Sequence, residues 1–342
     1  MNEATPRQDS VAKAARAVPA EPFHGADGQA VRPCTPAAVT HRHVRTLDLR
    51  PGVNVLEIGT GSGYSAALMD HIVGPQGQVT TVDIDPKLTE RAQKLYAEHG
   101  YRARAVTADG LLGHPSQAPY DRILIGTTPP AIPDAWLQQL KPGGSLISGI
   151  RIADLPGAYA IAHVTVDEHH LPRQVAVHHG GYTPMVAPRP ATSVSRAVDP
   201  GRPEFELTIL GADLPRTAAA LLAVLRDRPH TIQGRASGDD YSHFKNWLIA
   251  AGPQGLLEAV HDEGVGIGVG MRTADGSAHA AIATDELVIA DAPDSPALER
   301  LHSLTRQWLA EGATRTHELG AKLSCCDGTW HASVTRLQNL VT

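Results

Sequence analysis

Three alternating glycines stand where this sequence could hold a nucleotide-type cofactor. Gly59, Gly61 and Gly63 follow an apolar run at 53–58 and precede a segment with helical spacing. Without Cβ atoms, such a turn can adopt positive φ angles and let a ligand lie against the main chain. The amides that open the next helix would then face the ligand. Residues 61–66 also fit the dinucleotide fingerprint G-x-G-x-x-A, so this turn alone leaves the cofactor undecided.

Carboxylates that follow the later strands narrow the choice of cofactor. Asp83 lies about 20 residues beyond the glycine turn, where a carboxylate accepts hydrogen bonds from ribose hydroxyls. Asp85, directly before Pro86, is the better N-cap for the helix that follows, which leaves Asp83 to the ribose. Asp109 follows the third strand and either meets an adenine amino group or caps a turn. Glu57 is expected to point from the first strand into the same pocket.

Strand and helix patterns alternate up to residue 150. Strands are predicted at 53–58, 79–82, 103–107, 122–125 and 145–150, and helices at 37–47, 86–99 and 133–140. This alternation predicts an α/β fold with a doubly wound, mostly parallel sheet. Ligands of such sheets bind at the carboxyl ends of the strands, where the glycine turn, Asp83, Asp109 and Thr127 all fall.

The remaining sequence predicts a second, α+β domain. We expect a mobile arm or loosely attached helix at 1–21, the cofactor-binding domain at 22–186, a linker at 187–203 and the second domain at 204–342. Antiparallel strands within 159–177 would close the first sheet. The second domain has helical patterns at 216–226, 241–251 and 295–311 and strand-like segments at 205–210, 264–271 and 278–290.

Composition excludes several classes of function. The chain has 342 residues and a formal net charge of −6, so it lacks the basic surface that nucleic acids require. No uncharged apolar run reaches the length of a membrane span, and the first residues lack the apolar core of a signal peptide. We therefore expect a soluble cytoplasmic protein that binds neither nucleic acid nor membrane.

The spacing of the cysteines and histidines in the sequence does not match that of metal ligands. Cys34, Cys325 and Cys326 form no disulfide framework and are interpreted as reduced thiols. Four histidines are close together in the sequence: His169, His170, His178 and His179. They lack accompanying ligands at metal-binding spacing and are predicted to be solvent-facing residues of a hairpin.

Several motifs in order resemble those of the protein-L-isoaspartate O-methyltransferases. They lie at 55–64, 79–83, 108–110, 118–125 and 140–144, and the resemblance covers about residues 22–186. It implies a Rossmann-like class I methyltransferase fold, S-adenosylmethionine as cofactor and a peptide carboxylate as acceptor. Such an acceptor is already ionised near neutral pH, so we expect no catalytic triad.

The resemblance also implies roles for individual residues. Thr127 and Thr128 stand where the family lines the pocket after the fourth strand. The residues that it places against the cofactor are Glu57, Gly59, Thr60, Gly61, Ser62, Gly63, Tyr64, Asp83, Ile84, Asp109 and Gly110.

One loop departs from the family pattern. Repair enzymes carry a serine before a proline ahead of the first strand, and here that position is Arg32 or Cys34. Thr35 offers a hydroxyl and Arg32 a cation for a substrate carboxylate. The missing serine argues against ordinary repair, and the segment 79–86 and the additional C-terminal domain resemble those of relatives that tailor ribosomally made peptides such as lanthipeptides, lasso peptides and graspetides. This second resemblance implies esterification of a peptide aspartate, leading to aspartimide or isoaspartate.

Three alternatives stay open at this point. One is ordinary repair of isoaspartyl proteins, and another is a non-catalytic peptide-binding protein on a methyltransferase scaffold. A dehydrogenase is the third, although no hydride-transfer partner group is evident. The domain at 204–342 is interpreted as a reader of a precursor peptide, with dimerisation or stabilisation as its other possible role.

Overall fold

The computed structural model describes residues 9–25, 31, 34–185, 193–211, 214–227, 229–233, 238–262 and 264–336. The helices are α1 (Ser10–Ala17), α2 (Glu21–His24), α3 (Ala37–Thr46), α4 (Tyr64–Val73), α5 (Pro86–His99), α6 (Asp134–Gln138), α7 (Pro215–Asp227), α8 (Gly238–Ala251) and α9 (Pro296–Ala310). No helix within those ranges has the length and apolar character needed to cross a membrane.

The strands belong to three sheets. In chain order they are β1 (Asn54–Ile58), β2 (Gln78–Asp83), β3 (Arg104–Thr107), β4 (Tyr120–Ile125), β5 (Ile132–Pro133), β6 (Leu140–Arg151), β7 (Tyr159–Val166), β8 (Pro172–His178), β9 (Val194–Val198), β10 (Glu206–Leu210), β11 (His230–Gln233), β12 (Leu256–His261), β13 (Gly264–Arg272), β14 (Ala278–Ala283), β15 (Leu287–Ala290), β16 (Gly320–Cys326) and β17 (Thr329–Thr335).

The first sheet has the order β3-β2-β1-β4-β6-β7-β8. Its first five strands run parallel, whereas β7 and β8 pair antiparallel at the far edge. Helices cross between the parallel strands, as the alternating pattern predicts, because parallel neighbours need crossover connections. The predicted doubly wound sheet is confirmed, and β1 lies at its centre with Val55, Leu56 and Ile58 buried.

The second sheet is antiparallel and has the order β11-β15-β14-β13-β12-β10-β9. Alternate residues of β14 serve two cores, since Ile282 packs with α7 and Ala281 packs on the side of α9. The core on the α9 side is continuous with that of the first sheet, and it joins Trp136 to Trp247. The two halves of the chain therefore share one hydrophobic core.

A small third sheet also connects the two halves. Hairpin β16–β17 follows α9 but pairs with β5 of the amino-terminal half, with Trp330 opposite Ile132. The Trp330 indole nitrogen Nε1 donates to Asp134 Oδ1 at 3.0 Å. The end of the chain thus returns to the first domain.

Two predicted segments differ from the structure. In the proposed mobile arm, α1 packs against α3 and α4 through Val11 and Ala14, and Val18 beyond its end is also buried. The arm is therefore an attached helix from residue 10, because its small apolar residues share one face. In the proposed linker, residues 186–192 lie outside the described residues, and Val194–Val198 forms strand β9. Its backbone is ordered by antiparallel pairing with β10.

In the second domain, one segment predicted as a single strand is two strands, and four further strands were not predicted. The segment predicted as one strand at 278–290 is two strands, because Thr284 Oγ1 accepts from Leu287 N at 2.9 Å and closes a turn. Strands β11, β12, β16 and β17 had no prediction. Several of their residues are small or polar, so their pairing depends on neighbours distant in the sequence.

Candidate active site

A cavity of about 660 Å³ opens at the carboxyl ends of β1, β2 and β4. The glycine turn forms its floor, and the ends of β2 and β4 form two sides. Residues 34–40 and 181–185 complete its wall. The cavity therefore lies where a doubly wound sheet binds its ligands.

Positive φ angles explain the glycine turn. Gly59, Gly61 and Gly63 have φ values of +94°, +50° and +85°. A Cβ atom on Gly63 would lie 3.0 Å from both Ala92 Cβ and Tyr96 Oη, so α5 can approach only a glycine there. Gly61 faces open space. The turn therefore exposes its main chain to the cavity, as the sequence predicts.

Asp83 and Asp109 both line the cavity. Asp83 closes β2, and its Oδ2 accepts from Gly61 N at 3.2 Å while Oδ1 accepts from Asp85 N at 3.1 Å. These bonds hold the carboxylate beside the glycine turn. Asp109 Oδ1 accepts from Leu111 N at 2.9 Å. Asp109 therefore both caps a short 3-10 helix and borders the cavity. Asp85 caps α5, as predicted.

Apolar groups form the rim near Asp83. Ile84 is 76% exposed and lines the cavity, so its side chain offers apolar surface to a bound group. Gly110 lines the same side, and a Cβ there would lie 2.6 Å from Ile58 Cγ2. Thr60 and Ser62 border the floor. This rim suits the flat apolar face of a base.

Glu57 lies at the base of the cavity and is only 1% exposed. Thr81 Oγ1 donates to Glu57 Oε2 at 2.6 Å, and Ser65 Oγ donates to Oε1. Burial nevertheless outweighs these bonds and raises the pKa of Glu57 to about 7. Glu57 therefore titrates near neutral pH in the folded protein.

This raised pKa predicts a pH-dependent stability. Between about pH 4.5 and about pH 7 the unfolded chain loses the Glu57 proton while the folded chain keeps it, so stability falls as pH rises. The shift corresponds to about 3 kcal/mol. Chemical denaturation of the wild type and of Glu57→Gln across this pH range isolates the contribution of Glu57 to the free energy of unfolding. We expect the wild type to lose stability relative to the variant as pH rises, and parallel curves would contradict the assignment.

Three further polar side chains of the lining are suited to an acceptor. Cys34, Thr35 and Thr127 line the cavity, and Thr127 Oγ1 is buried with no hydrogen-bond partner in the described chain. A buried hydroxyl without a partner is costly, so a bound group would satisfy it. Burial raises the pKa of the Cys34 thiol, which favours the neutral form.

Three of the predicted site residues that the structure describes, Gly63, Tyr64 and Thr128, do not line the cavity. Arg32 lies outside the described residues. Gly63 is the N-cap of α4, and Tyr64 is buried with its hydroxyl 2.7 Å from His41 Nε2. Thr128 is also buried behind the wall. Tyr64 turns inward because it is the first residue of α4, whose sides are almost wholly apolar and buried.

Segment 181–185 is a wall that the sequence did not indicate. Thr128 N donates to Thr183 O at 2.9 Å, and Thr128 Oγ1 donates to Tyr182 O at 2.8 Å. The Tyr182 hydroxyl also bonds His43 Nδ1, and burial lowers the pKa of His43 to about 4, so this histidine is neutral. Thr128 therefore positions the wall and does not face the cavity.

Of the four histidines predicted to face solvent, His169 is exposed, whereas His170, His178 and His179 are half-buried. The rings of His179 and His243 are 4.8 Å apart, so His179 packs partly against the second domain. No three His, Cys, Asp or Glu side chains of the described ranges are grouped as metal ligands, and all three cysteines are free.

The sheet order and the antiparallel β7 are those of the class I methyltransferase fold. Residues 4–168 match the model of the family described as protein-L-isoaspartate(D-aspartate) O-methyltransferase. This match covers the glycine turn and strands β1 to β7.

Known proteins similar to this chain carry the same description. A protein-L-isoaspartate O-methyltransferase of Methanococcus maripaludis is 46% identical over 105 residues, which is 30% of this chain and 50% of the relative. One of Methanothrix thermoacetophila is 40% identical over 125 residues, 36% of this chain and 57% of the relative. The chain thus spans about half the length of the curated relatives it matches. A solved structure named protein-L-isoaspartate O-methyltransferase covers 95% of both chains, with 21% identity and a TM-score of 0.48.

Charge identifies the cofactor that fits this cavity. Three carboxyl groups line it, those of Glu57, Asp83 and Asp109, and no Lys, Arg or His side chain does so in the described part of the wall. Such a lining disfavours the diphosphate of a dinucleotide and suits a cation. S-adenosylmethionine carries a sulfonium and an ammonium group. It is the cofactor of this domain, in agreement with the matched family.

Proposed function

We propose that this protein transfers the methyl group of S-adenosylmethionine to the free carboxylate of an isoaspartyl residue in a peptide or protein. The observation that carries the proposal is the acidic cavity, whose lining also includes Cys34, Thr35 and Thr127 with its unpartnered hydroxyl. The matched family and relatives support the isoaspartyl acceptor by their names. They favour repair over the tailoring of ribosomally made peptides.

The residues divide into two groups by role. Asp83 accepts from the ribose hydroxyls, and Asp109 with Gly110 and Ile84 holds the adenine. Glu57 and the glycine turn face the methionine part, whose positive charge favours the ionised form of Glu57.

The chemistry requires little of the protein. The bound cofactor supplies an electrophilic methyl group, and a carboxylate oxygen displaces the sulfur, which leaves as a neutral thioether. The acceptor is already ionised, so no base has to remove a proton. Thr127 and Thr35 orient the carboxylate by donating hydrogen bonds, and the wall at 181–185 excludes water.

Esterification of a normal aspartate in a ribosomally made peptide is the second candidate. The position of the family's substrate serine is Arg32 or Cys34 here, and the lining of the cavity contains Cys34 and Thr35 but no serine from this loop. The two candidates differ in the carboxylate that accepts the methyl group.

Paired peptides that differ only in Asp or isoAsp separate the two candidates. Each is incubated with protein and S-adenosylmethionine, and the mass gain is measured. We expect the isoAsp peptide alone to gain a methyl group. Methylation of the Asp peptide alone, followed by loss of methanol, would show the tailoring reaction, and no methylation of either would favour a binding protein without catalysis.

A further inference from the structure

Helix α5 binds the main chain of the glycine turn through two side chains. Arg91 Nη1 donates to Ser62 O at 3.0 Å, and Tyr96 Oη donates to Gly63 O at 3.0 Å. Ser62 lines the cofactor cavity, whereas Arg91 and Tyr96 are not part of its described lining. The conformation of the turn therefore depends on α5 as well as on the glycines of the turn.

The Arg91 guanidinium also binds helix α2. Arg91 Nη2 donates to Phe23 O at 2.9 Å and to Pro22 O at 3.3 Å. One side chain thus joins three main-chain carbonyl oxygens from two segments that are distant in the sequence. A guanidinium presents several donors in a fixed planar fork and suits such a bridge, whereas a lysine ammonium is a compact point charge.

Aromatic packing holds α2 beside the same turn. Phe23 is buried, and its ring centroid lies 5.8 Å from that of Tyr64 and 6.4 Å from that of Tyr96. The ring centroids of His24 and Tyr64, the first residue after the turn, are 5.1 Å apart. All four residues of α2 are described, and none of them lines the cavity. The described cavity and α2 are therefore connected through the turn, Tyr64 and Arg91.

We propose that Arg91 is a positioning residue for cofactor binding and that it couples the glycine turn to α2. A bound cofactor fixes the main chain at Ser62, and the bridge through Arg91 then stabilises the docked position of α2. Such coupling is reciprocal, so loss of the bridge weakens cofactor binding, and couplings between sites are typically about 5–150-fold. The acceptor takes no part in this coupling, which therefore does not depend on the proposed function.

Hydrogen exchange of the wild type with and without S-adenosylmethionine, in the absence of any acceptor, tests the coupling. Within α2 and at its end, His24 N donates to Ala20 O at 2.9 Å and Gly25 N to Glu21 O at 2.8 Å, so exchange of these amides reports the opening of the helix. We expect the cofactor to slow exchange in fragments that cover residues 21–25 by about fivefold or more. Unchanged exchange there, with the cofactor bound, would overturn the inference.

Three variants assign the effect to the bridge. Arg91→Ala and Arg91→Lys should each weaken S-adenosylmethionine binding about tenfold in calorimetric titrations and remove the slowing of exchange at 21–25. Lys94→Ala is the matched control, because Lys94 is a cation of the same helix with a side chain 76% exposed. It should leave both measurements unchanged.

Wild-type affinity in either Arg91 variant, or an equal loss of affinity in Lys94→Ala, would overturn the inference. Arg91→Lys keeps the charge, so it separates the bridge from electrostatics, and the wild-type exchange result decides if neither Arg91 variant folds. A protein that shows the coupling but methylates no peptide would contradict the proposed function and leave this inference standing. No binding of S-adenosylmethionine by the wild type would overturn both.

Discussion

Replacing Asp83 with alanine should weaken S-adenosylmethionine binding at least tenfold without unfolding the protein. Hydrogen bonds to a charged group contribute about 1.5–3 kcal/mol each, and Asp83 presents its carboxylate to the cavity. The variant also removes the bond from Gly61 N, which orders the turn. Isothermal titration calorimetry of both proteins measures the loss.

A matched control lies two residues away. Asp85 caps α5 through Lys87 N at 2.9 Å and does not line the cavity. Asp85→Ala should cost about 1 kcal/mol of stability and leave cofactor affinity unchanged. Unaltered affinity in Asp83→Ala would show that the ribose lies elsewhere.

Replacing Glu258 with alanine should destabilise the folded protein by about 1.5–3 kcal/mol, because a buried hydrogen bond to a charged group is lost and the half-buried Lys245 loses a nearby negative charge. Glu258 is 4% exposed, and burial raises its pKa while it lowers that of Lys245. The variant also leaves Gly157 N without its acceptor. Chemical denaturation gives the free energy of unfolding.

The control for this variant is an exposed ion pair. Glu299 lies 2.9 Å from Arg306, and both side chains are mainly exposed. Glu299→Ala should therefore change stability by less than about 1 kcal/mol. If Glu258→Ala were equally mild, the two halves of the chain would not depend on this contact.

Local patterns predicted the glycine turn and the position of Asp83 at the end of its strand. Gly59, Gly61 and Gly63 need positive φ angles, and Asp83 follows its strand directly, so a short stretch of sequence contains the information. Tyr64 was misplaced because sequence spacing does not tell which side of a helix faces a cavity. Thr128 was misplaced for a similar reason, since its partner is more than fifty residues away.

The distant walls could not be predicted from local pattern. Tyr182 reaches the cavity only because Thr128 binds its main chain. Trp330 lies beside β5 through a pairing that spans nearly the whole second half of the chain. The packing of α1 could not be predicted from local pattern either, because the spacing of its small residues indicates a helix only weakly without knowledge of the surface it packs against.

The most direct test uses S-adenosylmethionine with an isotopically labelled methyl group and an isoaspartyl peptide, with fragment-ion mass spectrometry to locate the label. The account predicts that the label is on the α-carboxylate of the isoaspartyl residue, as a base-labile ester. Label on a nitrogen, a thiol or another side chain would contradict it. An unlabelled peptide, with cofactor binding intact, would contradict the catalytic claim itself.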